Sequence, residues 1–145
     1  MKLFLDDERF PQDVTWVPIS HDIDWTIVRN YKTFTEAIED YFYHTKELPE
    51  FVSFDHDLAD FHYQVMIEEN RYLAENPEPD GIGSLPLTFD YGREKTGFDC
   101  AKWLVEFCID HEVKFPNHIV HSMNPIGKKR IDDYIAWAKT KFDFL

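Results

Sequence analysis

The sequence predicts a three-layer α/β sandwich built on a four-stranded parallel sheet. Two observations carry that expectation. Short apolar runs alternate with segments of helical period, the pattern of strand–crossover–strand units. Three of those runs also end abruptly in acids or histidines: Leu3-Phe4-Leu5 in Asp6-Asp7-Glu8, Phe51-Val52-Ser53-Phe54 in Asp55-His56-Asp57, and His118-Ile119-Val120 in His121-Ser122-Met123-Asn124. A strand buried on both faces reads as a continuous apolar run, and open parallel sheets gather their functional groups just past the strands' carboxyl ends.

The elements follow in order. The first strand spans about residues 2–6. From Arg9 to Asp24 there are two prolines and no helical period, so the first crossover helix is expected to give way to an irregular connection. Trp25-Thr26-Ile27-Val28-Arg29 is β-branched and aromatic and reads as the second strand. Thr33 with Glu36 forms a capping-box pattern, and Phe34, Ala37, Ile38, Tyr41 and Phe42 continue it as an amphipathic helix. The third strand runs over about residues 51–55. Residues 58–95 are an excursion, with a helix from His62 to Ala74 and a loop at 76–83, expected to form a lid. Thr96 and Asp99 cap the next helix, whose buried face is Ala101, Leu104, Val105 and Cys108. Residues 117–120 form the last strand, and Asn124 caps a final helix with Pro125 in its first turn. The first and third strands are expected at the centre, next to the strand ending at His121. The whole chain reads as a single domain, 1–145.

Composition narrows the function. With 43% hydrophobic and 17% aromatic residues, the chain is globular and not disordered. No apolar run approaches the length of a membrane span, and the early acid at Asp6 is unlike a secretory signal, so a cytoplasmic protein is expected. Cys100 and Cys108 share one predicted helix at a spacing too long for a disulfide, and read as buried thiols. The net charge of −13, from 28 acids and 15 bases, argues against non-specific duplex binding. It leaves room for a small phosphorylated ligand, or an RNA end, in a local basic pocket.

Three features carry candidate chemistry. Asp6, Asp7, Asp55 and Asp57 converge from strand ends, where carboxylates must take a divalent cation, a proton or a basic partner; singly, Asp6, Asp7 and Glu8 also read as ordinary turn and capping residues. His56 and His121 are candidates to divide general acid from general base across one phosphate. Alternation along the third strand would turn His56 away from Asp55 and Asp57 if that strand extended through residue 57. The remaining histidines read as structural or solvated. Asn124-Pro125-Ile126-Gly127-Lys128-Lys129-Arg130 opens a helix with bases where the helix dipole disfavours them. That pattern reads either as an anion site, with Ser122 and Asn124 contributing, or as a solvated basic face. No Walker glycine pattern, nucleophile elbow or metalloprotease helix is present.

With these residues in place, the chain resembles a divergent response-regulator receiver domain. Asp6-Asp7 matches the receiver's metal-binding pair, Asp55 its phospho-acceptor and Ser122 its hydroxyl residue. The receiver's fifth strand and lysine are missing, and His56, Asp57 and His121 are extra. Those extras are similar to the cyclic-phosphate-processing receiver-like family of bacteria and phages. The likeness rests on Leu5-Asp6-Asp7-Glu8-Arg9 with Pro11, Ser53-Phe54-Asp55-His56-Asp57-Leu58, Thr96-Gly97-Phe98-Asp99, and His121-Ser122-Met123-Asn124-Pro125 with Gly127. It implies a receiver-like (flavodoxin-like) fold and action on cyclic phosphates, such as RNA 2′,3′-cyclic ends or cyclic nucleotides.

The resulting expectation is a phosphoesterase. Asp6, Asp7 and Asp57 hold a divalent cation, Mg²⁺ or Mn²⁺; His56 and His121 exchange the proton; Asp55, Ser122, Asn124, Lys128 and Arg130 contact the phosphate. Two alternatives remain: a signalling receiver phosphorylated on Asp55, and a non-catalytic module binding a nucleotide or partner through the excursion and its aromatics Phe61, Tyr63, Tyr72, Phe89 and Tyr91.

Overall fold

Strands β1 (Lys2–Leu5), β2 (Trp25–Val28), β3 (Phe51–Phe54) and β4 (Asn117–Val120) pair in parallel in the order β2-β1-β3-β4. A computed structural model of the chain describes residues 1–75 and 95–145. The loop at 76–83, together with Phe89 and Tyr91, therefore lies outside the described residues.

The pairing has no stagger. Lys2 faces both Trp25 and Phe51, and Phe51 faces Asn117, so Leu5, Val28, Phe54 and Val120 end level with one another. The ladder continues one residue further. Asp6 N–H donates to Val28 O (3.1 Å), Asp55 N–H to Leu5 O (2.9 Å) and His121 N–H to Phe54 O (2.8 Å). Strand termination and common register together put Arg29, Asp6, Asp55 and His121 in a row across the rim.

The two faces of the sheet are covered differently. Leu3, Leu5, Val28, Val52, Phe54 and Val120 pack under the helices α1 (Tyr31–Thr45), α3 (Gly97–His111) and α4 (Pro125–Lys141) in one large apolar core. Phe4, Trp25, Ile27 and Phe51 face the opposite way, against Val14, Val17 and Ile19 of the connection between β1 and β2. That connection holds only a 3₁₀ turn, Pro11–Asp13, so the third layer is irregular, as its prolines predict. The excursion after β3 begins with α2 (Asp60–Glu75). Among the described residues, no helix is long and apolar enough to cross a membrane.

The helix ends follow their caps. Thr96 and Asp99 form a reciprocal capping box at α3, and Asn124 accepts from Gly127 N–H at the start of α4. The first helix starts earlier than the Thr33–Glu36 pattern suggests. Asn30 is its cap, accepting from Thr33 N–H, and Thr33 fills the third helical position and returns a bond to the Asn30 amide. Asn ranks above Thr as a cap, and it stands earlier in the chain. Cys100 and Cys108 are buried free thiols; burial pushes Cys108 up to about 12.

Two glycines let the helices approach the rim. A Cβ on Gly97 would lie 1.7 Å from the Asp55 carbonyl oxygen, and one on Gly127 would lie 2.3 Å from Cγ of His56. The Gly97 N–H donates to His56 O at 2.7 Å, which fixes α3 against the turn after β3. Gly97→Ala therefore meets backbone rather than a movable side chain. It is expected to lower unfolding stability by about 1–3 kcal/mol or more, measured as the urea midpoint; an unchanged midpoint would contradict this packing.

Candidate functional site

Alternation along the strands decides which groups meet. Asp6 shares a face with Phe4, Asp55 with Ser53 and Phe51, and His121 with Ile119, so all three side chains leave the rim on the side of the irregular layer. They are 0–1% exposed. One ligand atom from each of Asp6, Asp55 and His121 lies within 4.8 Å of the others, a group that could hold a metal ion.

Each member is held by several bonds. Oδ1 of Asp6 accepts the amides of Glu8 (3.0 Å) and Arg9 (2.8 Å), closing the turn after β1. Its Oδ2 lies 3.0 Å from His121 Nε2 and 3.6 Å from Arg9 Nη1. The other imidazole nitrogen, Nδ1, lies 2.7 Å from Ser53 Oγ, and the ring stacks on Phe4 with centroids 4.5 Å apart. A carboxylate can only accept, so Nε2 carries the proton toward Asp6 and Nδ1 accepts from the Ser53 hydroxyl. Burial lowers the pKa of His121 despite the opposing pull of Asp6. Burial would raise Asp6, but the bonds from His121 and the two amides outweigh it and hold the carboxyl below its ordinary value.

Asp55 is the conflicted member. Oδ1 accepts from the His56 amide at 2.8 Å, while Oδ2 is buried with no hydrogen-bond partner among the described residues. Burial, then the charges of Asp6 and Asp57, push its pKa well above the ordinary carboxylate value. A buried orphan oxygen beside a second carboxylate and an imidazole is a donor set suited to a divalent cation, so these residues fit one.

His56 and Asp57 form a second group. The strand ends at Phe54, before alternation can carry through residue 57. His56 turns under Gly127 at the start of α4, with Nδ1 2.9 Å from Asp57 Oδ1. Asn124 Nδ2 donates to the same Asp57 oxygen at 3.3 Å, while its Oδ1 caps Gly127 N–H at 3.0 Å. Ser122 Oγ accepts the Asn124 amide at 3.1 Å. The structure thus brings Asp6, Asp55 and His121 together, and separately His56, Asp57, Asn124 and Ser122; Asp7, next to Asp6 in the chain, is half-buried.

The basic run at α4 meets acids of the protein itself. Lys128 lies 3.5 Å from Asp132 and donates to Val120 O, Lys129 is 2.6 Å from Asp133, and Arg130 is 3.2 Å from the buried Glu69 of α2. Elsewhere in α2, His62 is buried and its Nδ1 accepts the Leu58 amide, which suits the structural reading.

Four contributing residues escaped the sequence reading of the site. Ser53 was signalled, as a lone hydroxyl inside an apolar strand. Arg9 stood within the quoted motif without a role. Trp16 Nε1–H donates to His121 O at 2.7 Å, and Arg29 donates to the carbonyls of Asp6 and Arg9. Nothing local marked these last two.

A four-stranded parallel sheet with a buried Asp/Asp/His cluster at the ends of β1, β3 and β4 defines a receiver-like domain with a potential metal and phosphoester site. A family model described as the cyclic-phosphate processing Receiver domain matches residues 1–136, and the chain belongs to that family. No curated protein and no solved structure matches the chain.

A pH dependence follows from Asp55. Its raised pKa means the folded protein holds the proton more tightly than the unfolded chain does. Without metal, stability is therefore lost as pH climbs from the ordinary value of 3.8 through the raised folded value. Asp55→Asn has no such loss. In chelator it should exceed wild type by about 1–3 kcal/mol near pH 8, the gap closing toward pH 4. Urea melts at the two pH values check this, and a pH-independent gap would refute the assignment.

Proposed function

We propose that the protein is a metal-dependent phosphoesterase that opens cyclic phosphates, with RNA 2′,3′-cyclic ends or cyclic nucleotides as substrates. The observation that carries this reading is the convergence of Asp6, Asp55 and His121 around the orphan oxygen of Asp55, in a member of the cyclic-phosphate processing Receiver family. Asp6, Asp55 and His121 would hold the divalent cation, Mg²⁺ or Mn²⁺, with Asp7 following Asp6 in the chain. The chemistry supplied there would be neutralisation of phosphate charge and acidification of a water. Arg9, 3.6 Å from Asp6, is placed to take a non-bridging phosphate oxygen.

His56, oriented by Asp57 through Nδ1, is the residue proposed to carry the proton between the attacking water and the leaving hydroxyl. Asn124 and Ser122 set the position of that pair. To ligate through Nε2, His121 would carry its proton on Nδ1 and donate it to Ser53 Oγ, 2.7 Å away, so Ser53 would hold the ligating tautomer. Lys128 and Arg130 contribute if a phosphate displaces their present acid partners.

Hydrolysis of 2′,3′-cyclic nucleotides with Mn²⁺ or Mg²⁺ tests the reading. His121→Ala and Asp55→Asn should lose most turnover, and His56→Ala should lose about 10²–10⁴-fold. Rates equal to wild type in all three variants would remove the proposed site.

A second reading is favoured by one observation: Asp55 stands at the end of β3, beside Asp6, with one oxygen carrying no hydrogen bond among the described residues. That is where a receiver accepts a phosphoryl group. No strand follows β4 among the described residues to carry the receiver's lysine. Acetyl phosphate with Mg²⁺ should therefore leave no adduct on Asp55 by intact mass; an adduct there would promote the signalling reading.

A further inference from the structure

The rim beside the acid cluster carries side chains that the chemistry above does not use. Trp16 is 39% exposed and Met123 59% exposed, large apolar groups left at the surface near the buried polar groups of the site. Both are tied to the site. The Trp16 indole is pinned by its N–H bond to His121 O. The Arg9 guanidinium lies between the two, 5.2 Å from the indole centroid and 3.4 Å from Met123 Sδ, while its other arm reaches Asp6. Phe10, 51% exposed, continues the surface, with the Arg29 guanidinium 4.7 Å above its ring.

We infer that Trp16, Arg9 and Met123 form a stacking subsite for the base of a nucleotide whose phosphate occupies the Asp6–Asp55–His121 end. The inference rests on the phosphate-site reading above and extends it to the substrate's other half. Indole, guanidinium and thioether each offer a flat or polarisable surface that takes the face of any base without reading its edge. Arg9 joins the two halves, because one guanidinium spans the distance from a site carboxylate to the platform. Charge decides the size of the ligand. With a net charge of −13 and a platform of two or three side chains, the surface suits one terminal nucleotide rather than a length of phosphate backbone. A free mononucleotide and the 3′ end of an RNA share that chemistry.

Calorimetry in Mn²⁺ distinguishes the possibilities with three ligands: adenosine 3′-monophosphate, ribose 5-phosphate, and a short oligoribonucleotide ending in a 3′-phosphate. Wild type should bind the nucleotide more tightly than the base-free sugar phosphate. Trp16→Ala should weaken nucleotide binding about 5- to 150-fold, the worth of one stacked base, and leave ribose 5-phosphate unchanged. Trp16→Phe, which keeps a ring but loses the bond to His121, should restore most of the difference, and Met123→Ala should weaken nucleotide binding without touching the His121 bond.

Equal affinity for nucleotide and ribose phosphate in wild type would overturn the subsite. So would equal losses for both ligands in Trp16→Phe, which would place the effect in His121. An oligonucleotide bound more tightly than the mononucleotide, with the same Trp16 dependence, identifies the RNA end as the source. Cyclic-nucleotide hydrolysis with an unaltered KM in Trp16→Ala sinks the subsite alone. Trp16-dependent nucleotide binding without hydrolysis sinks the catalytic reading and keeps the subsite.

Discussion

Two carboxyl groups buried side by side constrain everything else at this rim. Asp6 and Asp55 end adjacent strands on the same face, with ligand atoms within 4.8 Å. Two full negative charges at that separation repel by roughly 3–4 kcal/mol at an effective dielectric near 20. That is a large part of the 5–15 kcal/mol by which a domain is stable. The protein divides the problem unequally. Asp6 receives two amides, an imidazole N–H and a nearby guanidinium, which hold its pKa below the ordinary value; Asp55 receives one amide, and burial beside two other carboxylates pushes its pKa well above. A proton on Asp55 and a divalent cation in the cluster are thus competing solutions to one electrostatic conflict, and a fold keeps such a conflict where it is useful.

The two groups of polar residues adjoin in the chain, Asp55 next to His56 and His121 next to Ser122. Asp55 points toward the irregular layer and His56 toward α4, because they are consecutive at a strand end. Gly97 and Gly127 then bring two helix starts onto this turn, so close that neither tolerates a methyl group without displacing the backbone of Asp55 or the ring of His56. The positions of His56 and Asp57 are consequently set by the helical core, whereas those of Asp6 and His121 are set by the sheet. Chemistry that needs both groups depends on the turn between them.

Much of this was legible in the chain. The apolar runs and the polar residues that follow them located three strands and the rim, because a strand buried on both faces must be apolar throughout, and β-branched and aromatic residues located the fourth, β2. Asn124 with Pro125, and Thr96 with Asp99, announced their helices by local chemistry alone. What stayed hidden was anything that crosses the chain. That Asp55 rather than Asp57 joins Asp6 depends on the strand stopping at Phe54, a boundary that propensity does not resolve. The partners of the basic run were hidden for the same reason. Asp132 and Asp133 lie one helical turn away and were readable, but Glu69, which faces Arg130, belongs to another helix.

The absent crossover helix gains a physical reason from the same geometry. A helix laid across the Phe4–Trp25 face would present side chains at fixed helical intervals, whereas this face needs three unlike groups at the rim. It needs a cation for Asp6, a donor for the carbonyl of His121, and apolar cover for Phe4 and Trp25. The irregular segment supplies Arg9, then Trp16, then Val14, Val17 and Ile19, each reaching a different depth. Arg29 secures that path from the next strand by holding the Asp6 and Arg9 carbonyls. Its extended stretches leave the indole half outside, where a helix packed for burial would have turned it inward. The loss of regular structure on one face of the sheet is therefore what places a cation and an aromatic ring beside the acid cluster.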